Sequence, residues 1–303
     1  MTDLGEAGPS LSVVVPIYSE TKDLWNLNTW LTSMTIDQLQ VILVIDSPFG
    51  VYSPAVLALE SYSVKSNIEI YKVNYGSPGL ARNEGIVHAE SKWVAFWDCD
   101  DLPAVDEFLK MIVCAETAKS SVALGQFETI NLRRSVVQTS SIEPDFTNRF
   151  FSRLALAPGI WRFAFQKQLI QDIKFPKFRM GEDQSFLAEV LNSAPRPYFH
   201  NATVYRYMTG GEDQLTGSEE AVLEISHSLQ NLRVLRKKGV HRNIVNPMYL
   251  TQSYSLAKRS RNFKKLLIFV SVVNFIGVRI GTIFPLGLSY VMEKFKNNRN
   301  RWS

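Results

Sequence analysis

Hydrophobic and polar positions follow a repeating order over the first hundred residues. Continuous apolar runs at Leu11 to Ile17, Gln40 to Asp46 and Trp93 to Trp97 read as strands buried on both faces, and Ile68 to Val73 is a further strand. Pro16 and the polar residues after it end the first run. Between the runs, Lys22 to about Met34, Ser53 to Tyr62 and the stretch GSPGLARNEGIVHAES carry helical spacing or helix-start signals. Strands alternating with helices in this way predict an α/β fold, an open, mostly parallel sheet flanked by helices. Its site loops then lie at the carboxyl ends of the strands. That arrangement puts Tyr18, Asp46 and Asp98 on one rim.

The pattern loosens after Asp101. Pro103 to Lys119 predicts a helix, SVALGQFETINL one or two strands, and PGIWRFAFQKQLI a segment that ends with helical spacing. GEDQSFLAEVLNSAP predicts a helix with acids in its first turn that ends at Pro195, and NATVYRYM a short strand. Two amphipathic helices, Ser218 to Lys238 and Val245 to Lys258, follow around the basic break RKKGVHR.

The densest chemistry lies in WVAFWDCDD, Trp93 to Asp101. An apolar strand ends in three carboxylates, Asp98, Asp100 and Asp101, and carboxylates at the end of a buried strand are costly unless something cationic meets them. In an extended chain Asp98 and Asp100 point to the same face, so the pair is a candidate ligand set for one hard divalent ion carrying a diphosphate. The alternative is that Asp100 or Asp101 caps the helix that follows, with Pro103 in its first turn.

At 303 residues with 46% hydrophobic content the chain can bury a full core. Two cysteines, Cys99 and Cys114, without C-x-x-C spacing support neither a disulfide framework nor a zinc site, which fits a reducing cytosol. The four histidines show no ligand spacing. MTDLGEAGPS has no apolar signal-peptide core, so export is not expected.

The net charge of +4 hides an asymmetry, because Tyr254 to Ser303 holds ten Lys or Arg against the single acid Glu293. These basic residues bracket apolar sequence and do not interleave with stacking aromatics, so a membrane surface is the expected partner and nucleic acid is not. Leu266 to Met292 would reach roughly 40 Å as a helix, but Arg279 at its middle and Pro285 weaken a simple span. The expectation is a protein in the cytoplasm, held peripherally on the inner membrane face by this tail, with packing as a core helix pair as the alternative.

In order, VVVPIYSE, ILVID, GSPGLARNEG with AESKWVAFWDCDD, GEDQSF and VYRYMTGGEDQLTGS resemble the inverting family-two glycosyltransferases of the GT-A fold. The resemblance covers roughly Ser12 to Ser218. It implies a GT-A domain over residues 1–210, with a nucleotide-sugar half at about 11–101 and an acceptor half at about 102–210. A helical C-terminal extension over 211–262 and the basic, apolar tail over 263–303 complete the division.

The resemblance also implies roles. Pro16, Tyr18, Glu20 and Asp46 line the nucleotide pocket, Arg82 lies near the pyrophosphate, and Asn83 bonds ribose or backbone. Asp98 and Asp100 form the DXD motif, Asp98 holding the ribose or a metal-bound water and Asp100 ligating Mg2+ or Mn2+. Asp183 is the general base, kept ionised by the dipole of the helix it begins, at some cost to its proton affinity. Glu182, Trp161 and Arg206 are further candidates for acceptor or donor contact, with core packing the competing role for Trp161. Gly79 and Gly85 either touch ligand or allow close helix packing.

The activity implied is metal-dependent transfer of one sugar from a nucleotide sugar, a UDP-sugar by default, to a glycan or lipid-linked acceptor. The processive Gln-x-x-Arg-Trp element is absent after Asp183. Rival classes are a non-catalytic nucleotide-sugar binding module and a sugar-nucleotide pyrophosphorylase. The latter is disfavoured by a first loop, PIYSETKD, without glycine.

Overall fold

The structure, a computed structural model, describes residues 10–33, 39–131, 136–140, 159–194, 196–210, 220–259 and Val272. The amino-terminal half alternates β1 (Leu11–Tyr18), α1 (Trp25–Ser33), β2 (Leu39–Asp46), α2 (Pro54–Leu57), β3 (Ile68–Val73), α3 (Pro78–His88) and β4 (Trp93–Phe96). The second half holds β5 (Leu102–Pro103), α4 (Val105–Thr117), β6 (Val122–Asn131), β7 (Val136–Ser140), β8 (Phe163–Gln166), α5 (Lys167–Ile170), α6 (Glu182–Ser193) and β9 (Tyr198–Thr209). Helices α7 (Glu220–Lys237) and α8 (Arg242–Arg259) follow.

Among the described residues the strands form one open sheet in the order β3-β2-β1-β4-β8-β6-β9-β5, with β7 beside β6. The first four strands are parallel; β8 enters antiparallel to both β4 and β6, so the carboxyl half of the sheet is mixed. Alternate residues of the central strands enter two different cores, which is why these strands read as unbroken apolar runs. Val14, Ile42 and Val44 pack with Phe186, Leu187 and Val190 of α6, while Val13, Val15, Leu43 and Ile45 pack with Trp30 of α1 and Phe108 and Met111 of α4.

Strand β1 runs one residue beyond the expected Ile17, to Tyr18, beside β2. Strand β4 accompanies β1 only as far as Val14, so Pro16 lies where the sheet has split and a donor toward β4 is not required. The strand order reverses between β1 and β4, the switch point at whose carboxyl ends open α/β sheets place their ligand crevice.

Ile225, Leu229 and Leu232 of α7 and Val245, Met248 and Tyr249 of α8 belong to the same buried cluster as α6. The helical extension is therefore continuous with the core of the sheet domain. Residues 211–219 and those beyond 259, Val272 apart, lie outside the described residues, and with them the segment 266–292 expected to meet a membrane. Among the described residues no helix is long and apolar enough to cross a membrane.

Candidate active site

The nucleotide-side rim starts from a register pair. Tyr18 ends β1 directly opposite Asp46 at the end of β2. Asp46 is buried, and its carboxylate accepts from three successive backbone N–H groups: Tyr75 at 2.7 Å and Gly76 at 3.0 Å on Oδ1, and Ser77 at 2.8 Å on Oδ2. Asp46 thus shapes the loop that leads into α3, where Gly76 takes a left-handed φ of 63°. Tyr18 is exposed, and its hydroxyl donates to Glu20 Oε1 at 2.8 Å. Partial burial, and then the Glu20 carboxylate, raise the proton affinity of the Tyr18 phenol, while Arg179 opposes this, which places Arg179 on the same rim.

Helix α3 brings a buried cation to the floor of the crevice. Arg82 donates from Nη1 to Glu182 Oε1 at 2.8 Å and from Nη2 to Asp98 Oδ1 at 2.9 Å, with its guanidinium above the Phe175 ring. It is not an open cation awaiting a pyrophosphate, because both faces of its fork are occupied by carboxylates. The two acids hold its charge firmly despite burial. Asn83 exchanges two hydrogen bonds of 2.9 Å with the backbone of Phe175, the backbone role of the two expected for it. Gly79 and Gly85 are packing glycines: a Cβ would stand 2.8 Å from Pro176 O and 2.2 Å from Val14 Cγ1, respectively.

The DXD segment departs from the extended geometry expected for it. The chain turns over Asp98 to Asp101, where Asp101 N donates to Asp98 O at 3.3 Å, so strand alternation does not set the faces of Asp98 and Asp100. Asn26 on α1 pins the turn by donating to Asp100 O at 2.6 Å. Asp101 neither caps α4, whose first turn has no side-chain cap, nor faces the crevice. It is fully buried and accepts from Met208 N at 2.7 Å, while the Tyr205 hydroxyl accepts from Asp98 N at 3.0 Å. Burial, followed by the charges of Asp98 and Asp100, pushes the Asp101 carboxyl up to about 9.

Helix α6 starts at the opposite wall. Gly181, at φ 82°, precedes Glu182 and Asp183 in its first turn. Burial and then the Asp183 charge push the Glu182 carboxyl up to about 8, against the pull of Arg82. Asp183 is half-buried, and burial outweighs Arg82 and the backbone hydrogen bond from Gln184, so its proton affinity is raised. That reverses the expectation of a weakened base, because desolvation exceeds the effect of the helix terminus.

Comparison with known proteins gives the family and the fold. The model for "Glycosyl transferase family 2" matches residues 12–175, more than half of the chain. The chain belongs to glycosyl transferase family 2. The poly(ribitol-phosphate) beta-N-acetylglucosaminyltransferase TarS of Staphylococcus aureus is 26% identical over 211 residues, covering 67% of this chain and 36% of TarS. The succinoglycan biosynthesis protein ExoO of Rhizobium meliloti is 29% identical over 164 residues, 50% of this chain and 46% of ExoO. The chain thus spans less than half the length of these curated relatives.

Among solved structures, TarS 1-349 in complex with UDP-GlcNAc superposes with a TM-score of 0.70 at 18% identity, over 88% of this chain and 81% of that one. The mannosyltransferase PcManGT from Pyrobaculum calidifontis, in complex with GDP-Man and Mn2+, gives 0.56 at 13% identity, over 98% and 89%. Both share the GT-A type of open sheet.

Within this family-two site the remaining candidates fall in different places. Trp161 is buried in an aromatic stack, 4.7 Å from Tyr205 and 5.3 Å from Tyr207 between ring centroids, with Phe127 edge-on. This is its core role. Arg162 next to it is fully buried over Phe127 and Phe163, and burial lowers its guanidinium to about 9. Arg206 is not brought to the crevice. It pairs with Glu128 on the exposed sheet face at 3.3 Å, opposite in alternation to Tyr205 and Tyr207.

Asp98 and Asp100 fit a hard divalent ion in the nature of their donors. Asp98 spends Oδ1 on Arg82, and among the described residues no cluster of three metal-ligating side chains exists. Sequence reasoning assigned no role to Tyr205 or Ser228 and read Asp101 only as a possible cap. The third acid of the run was visible, but its partner Met208 lies 107 residues away, and no local pattern announces that contact.

Proposed function

We propose that this protein is a metal-dependent inverting glycosyltransferase that moves one sugar from a UDP-sugar to a hydroxyl of a cell-envelope glycan or lipid-linked glycan. The observation that carries the reading is the Arg82 bridge, which gathers Asp98 from the DXD turn and the Glu182–Asp183 helix start at one place. UDP-N-acetylglucosamine is the first donor to test, because TarS is both a named relative and a structural neighbour bound to that donor.

In this reading Tyr18, Glu20 and Asp46 border the base, with Pro16 beneath them in β1. A carboxylate has about four acceptor directions, so the three backbone donors on Asp46 leave one for a nucleobase N–H. Asp100, with Asp98 beside it, would hold Mg2+ or Mn2+, whose charge would neutralise the departing diphosphate. Asp183 takes the acceptor proton as the hydroxyl oxygen bonds to the anomeric carbon. The bond from that carbon to the diphosphate oxygen breaks on the opposite face, which inverts the configuration. A proton affinity raised by burial suits a base that must accept a proton near neutral pH. Arg82 stays bound to its two carboxylates and orients them. Peripheral attachment to the inner membrane face through residues 263–303 accompanies the reading, and co-sedimentation with anionic vesicles tests it.

The deciding experiment offers the purified protein a panel of nucleotide sugars with Mn2+, Mg2+ or chelator, beside Asp100→Ala and Asp183→Asn. The expected result is release of one nucleoside diphosphate, lost with chelator and in both variants, with an inverted anomeric signal by NMR in the product. Binding of a donor with no turnover under any condition would replace the transferase with a binding module.

A further inference from the structure

The start of α6 lacks the usual means of fixing a helix terminus. Its first flanking residue is Gly181, which has no side chain to cap the free N–H groups and sits at φ 82°. Arg82 fixes Glu182 from one side, so the path of the backbone into Asp183 depends on what packs around Gly181. Two side chains from the helical extension do so. Ser228 on α7, fully buried, donates its hydroxyl to Gly181 O at 3.3 Å. Gln252 on α8, also buried, lies so close above the Gly181 α-carbon that a Cβ there would stand 2.2 Å from Gln252 Nε2 and 2.5 Å from Ser228 Oγ. A third contact holds the same segment upstream, where Glu224 Oε2 on α7 accepts from Arg179 N at 3.0 Å.

These polar contacts sit in an interface otherwise filled by Ile225, Leu229, Leu232, Val245 and Met248. Burying polar groups in such surroundings is unfavourable unless they are matched, and apolar residues would pack the helices equally well. Their placement on one short segment points to a positioning task. We propose that α7 and α8 are working parts of the transferase site: Glu224 and Ser228 hold the segment from Arg179 to Gly181 by hydrogen bonds, Gln252 packs over it, and together they keep Asp183 in line with the donor. The clamp extends the proposed function and rests on Asp183 being the base. The three are positioning residues, since none of them reaches the reacting atoms.

Glu224→Ala and Ser228→Ala test the clamp by steady-state kinetics, UDP binding by calorimetry and thermal unfolding, with Asp183→Asn alongside. A displacement of a reacting group by about 1 Å costs up to about 100-fold, so kcat is expected to fall about tenfold in Ser228→Ala, with donor KM and UDP affinity within about twofold of wild type. A merely structural role would lower donor affinity and the unfolding midpoint together with kcat, and that result, or unchanged kcat in both folded variants, overturns the proposal. Glu224, in the second turn of α7, is only partly buried, so Glu224→Ala decides the matter if Ser228→Ala does not fold. Unchanged α7 variants beside an inactive Asp183→Asn would sink the clamp alone. An active Asp183→Asn would sink the base assignment on which it rests.

Discussion

Arg82 Nη1 lies 2.8 Å from Glu182 Oε1, joining residues 100 positions apart, and both side chains are more than nine-tenths buried. The same guanidinium reaches Asp98 from the other side, so one cation ties the DXD turn to the helix that carries Asp183. Removing it strands two acids in a desolvated place. Arg82→Ala is expected to cost about 3 kcal/mol of stability, read from urea unfolding, because the Asp98 charge loses its partner and the buried Glu182 carboxyl loses its donor. Arg82→Lys recovers little of this, since a single ammonium lacks the fork that serves both partners. Near-wild-type unfolding of either variant would show that the bridge does not organise the site.

The charge state of that pair is open to a direct measurement. The Glu182 carboxyl, ordinarily near 4.5, is pushed to about 8 by burial and the Asp183 charge. Between these values the folded chain keeps a proton that the unfolded chain has released, so stability is full below about pH 4.5 and is lost as pH rises through about 8. Glu182→Gln should remove this slope. The stability of wild type relative to Glu182→Gln is therefore expected to decline as pH rises. A difference that grows with pH would mean that an ionised Glu182 paired with Arg82 is the native form.

Tyr205→Phe keeps the stack on Trp161 but deletes the hydroxyl that accepts from Asp98 N. A buried N–H left without an acceptor costs about 1 to 3 kcal/mol. The unfolding midpoint should drop accordingly, and Mn2+ affinity measured by calorimetry should weaken, because the turn bearing Asp98 and Asp100 loses its tie to β9. Unaltered Mn2+ binding in a destabilised variant would confine Tyr205 to a packing role.

Gly85→Ala tests the contact between α3 and β1. A Cβ at this position meets Val14 Cγ1 at 2.2 Å and Cγ2 at 2.6 Å. Overpacking of this kind costs about 1 to 3 kcal/mol, and Val14→Ala, which clears the space, should make the double variant less unstable than the sum of the two singles. Additive effects would show that the helix shifts freely away from the strand.

Residues whose partners are near in sequence, or whose type is required by the chemistry, are legible from the amino acids alone. Residues 11–15, 39–46 and 93–96 are buried on both faces, and the unbroken hydrophobicity of these runs marks them as central strands. The first-turn acids of α6 are visible because helix starts favour them. Tertiary partners are not legible in this way. Arg82 and Asn83 pass for ligand contacts because both can bind phosphate or ribose, yet their partners, Glu182 and Phe175, lie 100 and 92 residues downstream. The sign of the Asp183 shift is equally hidden, since it depends on burial contributed by distant segments.

Arg206 gives the sharpest contrast between sequence position and location in the fold. It sits between Tyr205 and Tyr207, both of which stack on Trp161, and that company makes it a candidate for the diphosphate. Strand alternation sends it to the other face, where it lies across from Glu128 in register and pairs with it, with nearly half of its side chain exposed. Exposed pairs contribute about 0 to 1 kcal/mol, so Arg206→Ala should leave the unfolding midpoint almost unmoved. Donor KM should stay within about twofold of wild type, because a side chain on that face has no path through the sheet to the crevice. A KM rise of about tenfold with stability intact would mean that Arg206 leaves Glu128 to reach the donor when the substrate binds, a rearrangement of β9 that the strand register would then have to accommodate.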